Sequence, residues 1–392
     1  VAKQSYQSLL FAAGGASGFY APVGVDPDAD IAGWFARIQA GEPYDDPLSR
    51  DLLREIQQHH SAYYIDDRKP SRKKGHGHWW RKRGHRHWHW WHKPKRVRPA
   101  PILAYNSWLD DLFYADEPLR LRNLVLDRHP SAEFSVLLAA GAGHPRAGGP
   151  SPAELGELTG DFFDRHLKGA RGNPLGVRTY TQACNGSTQM GPFDTRTWRG
   201  QHPGEVRINS SAPQTFTGLG GNPAIATGLD VIAAGQCPVR PSALEPNTAT
   251  YDGAAAQNGG YTMIGSPTVI ARLTASGSNA QVSARLWDVG PDGNQAFITR
   301  GTFRPAAGTR KVVFQLHPQG WHFAPGHFPR LQLLGRDAPY QRASNGAFSV
   351  TVRDLQLRLP VRQRPGSGQV RWPGWPLDRD GTFARPWEIA WR

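Results

Sequence analysis

Two short segments restrict this chain more than any other feature. Tyr105-Asn106-Ser107-Trp108-Leu109-Asp110-Asp111 follows the apolar run 100–105, and Ala139-Ala140-Gly141-Ala142-Gly143-His144 follows the apolar run 134–140. Both runs have the length and composition of buried strands. Between them, 117–128 carries Leu119, Leu121, Leu124 and Val125 as the apolar positions of a helix. Strand, helix and strand at this spacing form a βαβ unit, with parallel strands and a right-handed crossover. Asp110 and His144 then leave the same carboxyl edge of one sheet, where α/β proteins build their sites.

An acid followed by a histidine, in that order, is the second half of a Ser…Asp…His triad. The histidine takes a proton from the serine, and the aspartate fixes its tautomer and stabilises the imidazolium. Asp111 is the competing acid, with its side chain directed differently from that of Asp110. Taken singly, Asp110 also reads as a turn or cap residue, and His144 as a surface-loop residue. A nucleophilic serine needs glycines on both sides of a tight strand-to-helix turn. Gly14-Gly15-Ala16-Ser17-Gly18 has the composition, but Phe19 stands two residues after Ser17 and no strand precedes it. Gly14, Gly15 and Gly18 therefore read as a loop, and Ser17 as a loop serine. Ser5 and Ser8 lack flanking glycines, and Cys184 follows His144 in the chain. The nucleophile is accordingly expected amino-terminal to Val1.

A chain of 392 residues is long enough for two or three domains with cores of their own. The net charge of +14 is local, because 68–98 holds thirteen Lys or Arg and no Asp or Glu. The same segment interleaves six His and five Trp, and reads as an exposed, disordered, low-complexity insertion. Arg and Lys with interleaved Trp suit polyanion contact by charge neutralisation and stacking. His76, His78, His85, His87, His89 and His92 are dense enough to chelate metal opportunistically. No dedicated metal site or cofactor is expected. The only cysteines, Cys184 and Cys237, leave a disulfide or two buried thiols open; the disulfide would favour an extracytoplasmic compartment. No apolar run reaches the ~18–20 residues of a membrane span, and Val1 opens no recognisable signal peptide.

Along the chain, 1–67 reads as mixed helix and loop. Helices are expected at 31–39, capped by Asp28 or Asp30, and at 48–59. Residues 99–200 carry the βαβ unit and a further helix at 153–167 with a Pro152 start, with Leu155, Leu158, Phe162 and Phe163 as its apolar stripe and Lys168-Gly169 as its end. Residues 201–361 change character. Alternating patterns at 268–273, 281–289, 296–303, 310–316, 330–334 and 348–359, with turns at Pro291-Asp292-Gly293 and Asn345-Gly346, argue a jelly-roll β-sandwich. Trp321, His322 and His327 are expected in its core and rim, and Trp108 beneath the acid. Residues 362–392 read as a tail.

With these residues in place the chain resembles the cocaine esterase and X-prolyl dipeptidyl-peptidase hydrolases. The resemblance rests on Trp108-x-Asp110 and Gly-x-His144, on the helix ending Leu167-Lys168-Gly169, and on the sandwich. There, Ala284-Arg285-Leu286-Trp287-Asp288-Val289, Thr299-Arg300-Gly301, Leu316-His317-Pro318 and Phe323-Ala324-Pro325-Gly326-His327 match family segments. It covers 1–361 apart from the insertion. It implies an α/β plus all-β chain: a partial α/β-hydrolase, with 1–67 as a helical cap remnant and 99–200 as the last part of the sheet, followed by the jelly roll at 201–361. It implies Asp110 as the triad acid and His144 as the base, and a peptide or ester as substrate. This chain departs from the family in lacking the first-half strands, the Gly-x-Ser-x-Gly elbow and the oxyanion-hole donors, so an amino-terminal half is an expected partner and activity of the chain alone is not expected. The rival expectation is a non-catalytic polyanion-binding protein that uses 68–98.

Overall fold

The structure is a computed structural model. It describes residues 3–59 apart from 19, 24, 27 and 28, and residues 99–140, 150–182, 189–230 and 237–374 apart from 367. His144, Cys184 and the whole 68–98 insertion lie outside the described residues.

Three helices open the chain: α1 (Gln4–Ser17), α2 (Ile31–Ala40) and α3 (Pro47–His59). The first overturns the expected glycine loop. Gly14 and Gly15 are helical, and Ser17 is the last helical residue, its hydroxyl donating to the Ala13 carbonyl at 2.7 Å. The physical reason is packing. Phe11 stacks on Tyr20 at 4.8 Å and on Phe35 at 4.0 Å, and the Tyr20 hydroxyl lies where a side chain on Gly14 would stand. The glycine here permits close approach rather than a turn. Asp30 caps α2 by accepting the Gly33 N–H at 3.0 Å. The turn after α2 is tied to the carboxyl-terminal half by Glu42, which receives Arg304, Arg342 and the Asn345 N–H.

The βαβ unit is present as β1 (Ile102–Ser107), α4 (Asp116–Arg128) and β2 (Phe134–Ala139). The two strands are parallel, with Ser107 opposite Ala139. All six residues of β2 are buried, as a parallel strand covered on both faces requires. Leu119 and Val125 of α4 share a core with Phe134, Val136 and Leu138. The next helix, α5 (Pro152–Leu167), starts where Ser151 accepts the Glu154 N–H at 3.1 Å and Pro152 takes the first helical position. Leu155 and Leu158 pack on Leu137, Ala139 and Tyr180. The apolar stripe is narrower than expected, since Phe163 is 50% exposed and meets the Phe162 ring edge-on. Short strands β3 (Val177–Thr179) and β4 (Phe193–Thr195) complete a four-stranded sheet of order β1-β2-β3-β4, in which β3 is parallel to β2 and β4 antiparallel to β3.

The rest is a two-sheet sandwich. Its elements are β5 (Gly204–Ser210), β6 (Gln214–Thr217), α6 (Pro223–Gly228), β7 (Val239–Pro241), β8 (Ala249–Asp252), β9 (Tyr261–Gly265) and β10 (Thr268–Gly277). They continue with β11 (Val282–Val289), β12 (Asn294–Phe303), β13 (Gly308–Gln315), β14 (Gln319–Phe323), β15 (Phe328–Leu334) and β16 (Phe348–Val361). One sheet runs β13-β10-β16-β9-β14, with β5 and β6 also paired to β16; the other runs β7-β12-β11-β15-β8. Val269, Leu273, Val352 and Leu357 of the first sheet meet Ala284, Leu286, Leu331 and Leu333 of the second in one core. All six strands anticipated in this region are present. Those missed include β9, whose five residues are all buried and therefore show no alternation. The presumed tail is also partly structured: Val370 joins the sandwich core and Arg371 bridges to Glu205. Cys237 is buried and disulfide-bonded.

Within β11, the segment 284–289 is structural. Arg285 is fully buried and donates to Asp337 at 3.0 Å and to Glu245 at 2.8 Å. Asp337 also receives Arg300 at 3.3 Å. Buried charges are tolerated when paired and hydrogen-bonded in this way.

Candidate active site

Asp110 stands three residues beyond the end of β1, at the carboxyl edge of the parallel strands. It is buried, 7% exposed. Its Oδ1 accepts the backbone N–H of Leu112 at 3.0 Å and of Phe113 at 2.8 Å, so the carboxylate closes its own loop. The turn reading of Asp110 and the triad reading are thus compatible: a carboxylate anchored through backbone donors has a fixed position at the sheet edge. β2 ends at Ala139, opposite Ser107, and delivers the chain to the same edge at the buried Ala140. His144 follows outside the described residues.

The loop that carries Asp110 is held from three sides. From below, the Trp108 indole is 2% exposed and donates to the Tyr180 carbonyl at 2.5 Å. From the sandwich, the Gln319 amide donates to the Trp108 carbonyl at 2.8 Å, and the Gln182 N–H donates to the Gly320 carbonyl at 2.8 Å. Gly320 leaves room for this approach, since a Cβ there would lie 2.6 Å from the Tyr180 carbonyl oxygen and 2.7 Å from Trp108 Nε1. His317 stacks on Tyr114 and lies 3.2 Å from Asp116. From the amino terminus, Lys3 Nζ donates to the carbonyls of Asp111 at 2.7 Å and Leu112 at 3.0 Å, over the Tyr114 ring.

Asp111, the competing acid, points into a different environment. It is almost wholly buried, and its Oδ2 meets no hydrogen-bond donor among the described residues. Burial raises its pKa to about 6, opposed by the nearby Arg300 and Lys3 and reinforced by Asp230. Desolvation likewise pushes the Tyr6 hydroxyl well up and the Lys3 amine down. Desolvation outweighs the Asp116 carboxylate at His317 and lowers its pKa, while Asp116 is held low by His317 and Arg120 against its own desolvation. Asp111 therefore belongs to the contact between helix α1, the acid loop and the sandwich. Lys3, Gln319 and the His317–Asp116 pair escaped sequence reading. Each lies more than 100 residues from its partner, and only Leu316-His317-Pro318 carried a signal, as a family-like segment.

Trp321 lies in the sandwich core, as expected, and Trp108 is buried in the core beneath the parallel sheet with Val136 and Leu138. At the rim, His327 lies 3.0 Å from Asp288, which also accepts the Trp321 indole N–H at 2.9 Å. His322 lies 3.0 Å from the Thr262 hydroxyl. Ser5 is engaged with Asp230 at 3.1 Å. Among the described residues no group of three or more His, Cys, Asp or Glu could hold a metal ion, and no helix is long and apolar enough to cross a membrane.

The X-Pro dipeptidyl-peptidase C-terminal non-catalytic domain matches residues 185–357, which contain most of the sandwich. Among solved structures, an aminopeptidase from a marine sediment archaeon, Thaumarchaeota archaeon, aligns at 14% identity and a TM-score of 0.50, covering 67% of this chain and 54% of that one. An alpha-amino acid ester hydrolase aligns at 13% identity and a TM-score of 0.47, covering 68% of this chain and 56% of that one. A CocE/NonD family hydrolase from Staphylococcus aureus aligns at 12% identity and a TM-score of 0.46, covering 67% and 54%. The chain thus spans about half the length of these structures. No curated protein sequence matches it. The sandwich thus matches the X-Pro dipeptidyl-peptidase C-terminal domain, and the partial parallel sheet before it is compatible with the resemblance to the cocaine esterase and X-prolyl dipeptidyl-peptidase hydrolases.

Proposed function

We propose that this chain supplies the acid and the base of a serine hydrolase that cleaves a peptide or ester bond. Asp110 orients His144 and stabilises its protonated form. His144 takes the proton of a serine hydroxyl as that oxygen attacks the substrate carbonyl, then returns it to the leaving amine or alcohol. Water repeats the sequence to release the acyl group. The serine, on a Gly-x-Ser-x-Gly elbow, and the oxyanion-hole donors are assigned to a segment preceding Val1. On this reading the chain alone is inactive.

The observation that carries the proposal is the placement of Asp110. It is a buried carboxylate at the carboxyl edge of two parallel strands, anchored by two backbone N–H groups. The strand that leads toward His144 lies beside it. The test joins an amino-terminal half carrying the elbow to this chain and assays acyl-ester and prolyl-dipeptide substrates. Activity that His144→Ala abolishes supports the assignment, and activity unchanged by that substitution ends it. Fluorophosphonate labelling of the chain alone is expected to be negative.

A further inference from the structure

The outer face of the larger sandwich sheet carries a row of like charges that the fold does not need. In cross-strand register, Lys311 of β13 faces Arg272 of β10, and Arg272 faces Arg353 of β16. Like charges directly opposite one another destabilise a sheet. All three side chains are exposed, and among the described residues the only carboxylate paired with the row is Asp354, 3.4 Å from Arg272. A register shift in the β10–β16 ladder falls beside this row, and Asp354 there takes a left-handed backbone conformation with φ of 50°. Such bulges re-aim side chains; this one leaves Arg353 directly opposite Arg272.

The surface beside the cations is hydroxylated and regular. Thr309, Thr274, Thr351 and Thr215 form one row across β13, β10, β16 and β6. Within it the Thr274–Thr309 and Thr215–Thr351 hydroxyls are 2.9 Å apart. Ser276, Ser349 and Thr217 form the next row. At ~4.8 Å between strands, the four threonines span ~14 Å. On the same sheet, Arg358 stands opposite Arg207, and the Trp372 carbonyl accepts from Arg207 while the Trp372 residue is 76% exposed.

We propose that this face binds an anionic polysaccharide. The cation row would meet its carboxylate or sulfate groups, the threonine and serine rows would exchange hydrogen bonds with its hydroxyls, and the exposed Trp372 would stack on a sugar ring. Hydroxyl rows matched by cations on a sheet face fit a chain of charged sugars better than stacked bases, because among the described residues the face offers one exposed aromatic ring, Trp372. The surface uses none of the candidate active-site residues and no residue of 68–98.

The test uses the full chain with polygalacturonate and heparin as probes and single-stranded DNA as comparator. Phenylglyoxal labelling, read by mass spectrometry, reports which arginines the probe shields. The expected result is protection of Arg272 and Arg353, with the triple substitution Lys311→Ser, Arg272→Ser and Arg353→Ser weakening polysaccharide binding about tenfold or more in moderate salt, and Trp372→Ala weakening it further. The three sites are exposed and the substitution removes their mutual repulsion, so a thermal unfolding midpoint at or above that of the parent is expected to show that the fold persists. Protection confined to arginines of 68–98, binding unchanged in the triple variant, equal loss for DNA and polysaccharide, or no binding of either polysaccharide would each overturn the proposal.

Discussion

Gln319, in the sandwich, donates its side-chain amide to the main-chain carbonyl of Trp108, two residues before Asp110, at 2.8 Å. A residue of the sandwich is therefore bonded directly to the loop that holds the candidate acid. Gln319→Leu would leave the carbonyl of a buried residue without this donor. The expected cost is about 1–3 kcal/mol, measured as a lower urea midpoint.

Gly320 and Gly156 make a matched pair for the same contact. A methyl group at Gly320 collides with the Tyr180 carbonyl and the Trp108 indole, whereas nothing lies within 4 Å of one at Gly156, in α5. Gly320→Ala is expected to destabilise by about 1–3 kcal/mol. Gly156→Ala is expected to stabilise by about 0.5–1 kcal/mol, through helix propensity and a less flexible unfolded chain. Equal effects in thermal unfolding would contradict the close approach at Gly320.

Asp111 gives the fold a pH dependence of defined sign. Its pKa is raised by burial from the ordinary aspartate range to about 6. A carboxyl with a raised folded-state pKa contributes stability below its unfolded pKa and loses that contribution as pH rises through the folded value. The loss is expected between about pH 4 and 6, on the order of 2–3 kcal/mol. Asp111→Asn should lack this slope, so that it is more stable than the parent at pH 7 and the advantage disappears near pH 4. Denaturant midpoints across that range measure it; parallel curves would show that the Asp111 pKa is the same in the folded and unfolded states.

Asp337 neutralises two buried arginines, Arg285 and Arg300. The two guanidinium groups hold its carboxyl below the ordinary aspartate range despite the opposing effect of burial. Asp337→Ala leaves both cations in the interior, with Glu245 as the remaining acid beside Arg285. The expected cost is about 3–5 kcal/mol, with Arg285→Met in the Asp337→Ala background recovering part of it.

In the reconstituted enzyme, Asp110→Ala should lower kcat/KM by roughly a thousandfold or more, with Asp111→Asn changing it far less. The reverse order would exchange the roles of the two acids.

The βαβ unit and the sandwich strands were legible because their periodicities differ. In β16, Val350, Val352, Leu355, Leu357 and Leu359 are buried, and the bulge at Asp354 accounts for the single break in alternation. Helix α5 announced itself by Pro152 and Lys168-Gly169, while its Ser151 cap emerged only in the structure. Helix α1 did not, because Gly14 and Gly15 read as loop signals until the Tyr20 ring was seen to occupy the space beside them. The place of Asp110 just beyond the end of a parallel strand was legible from the apolar run before it; the groups that fix its loop were not.

What the sequence by itself determined was local: which segments alternate, where helices are capped, and that Asp110 leaves the end of a strand. Those properties depend on neighbours within a few residues. Only the tertiary structure decided that Lys3, Tyr114, His317 and Gln319 converge on the Asp110 loop, that Asp111 is buried among Arg300, Lys3 and Asp230, and that Lys311, Arg272 and Arg353 line up across three strands. These depend on strand register and on how two domains meet, and burial then sets the energy of each charge by removing it from water.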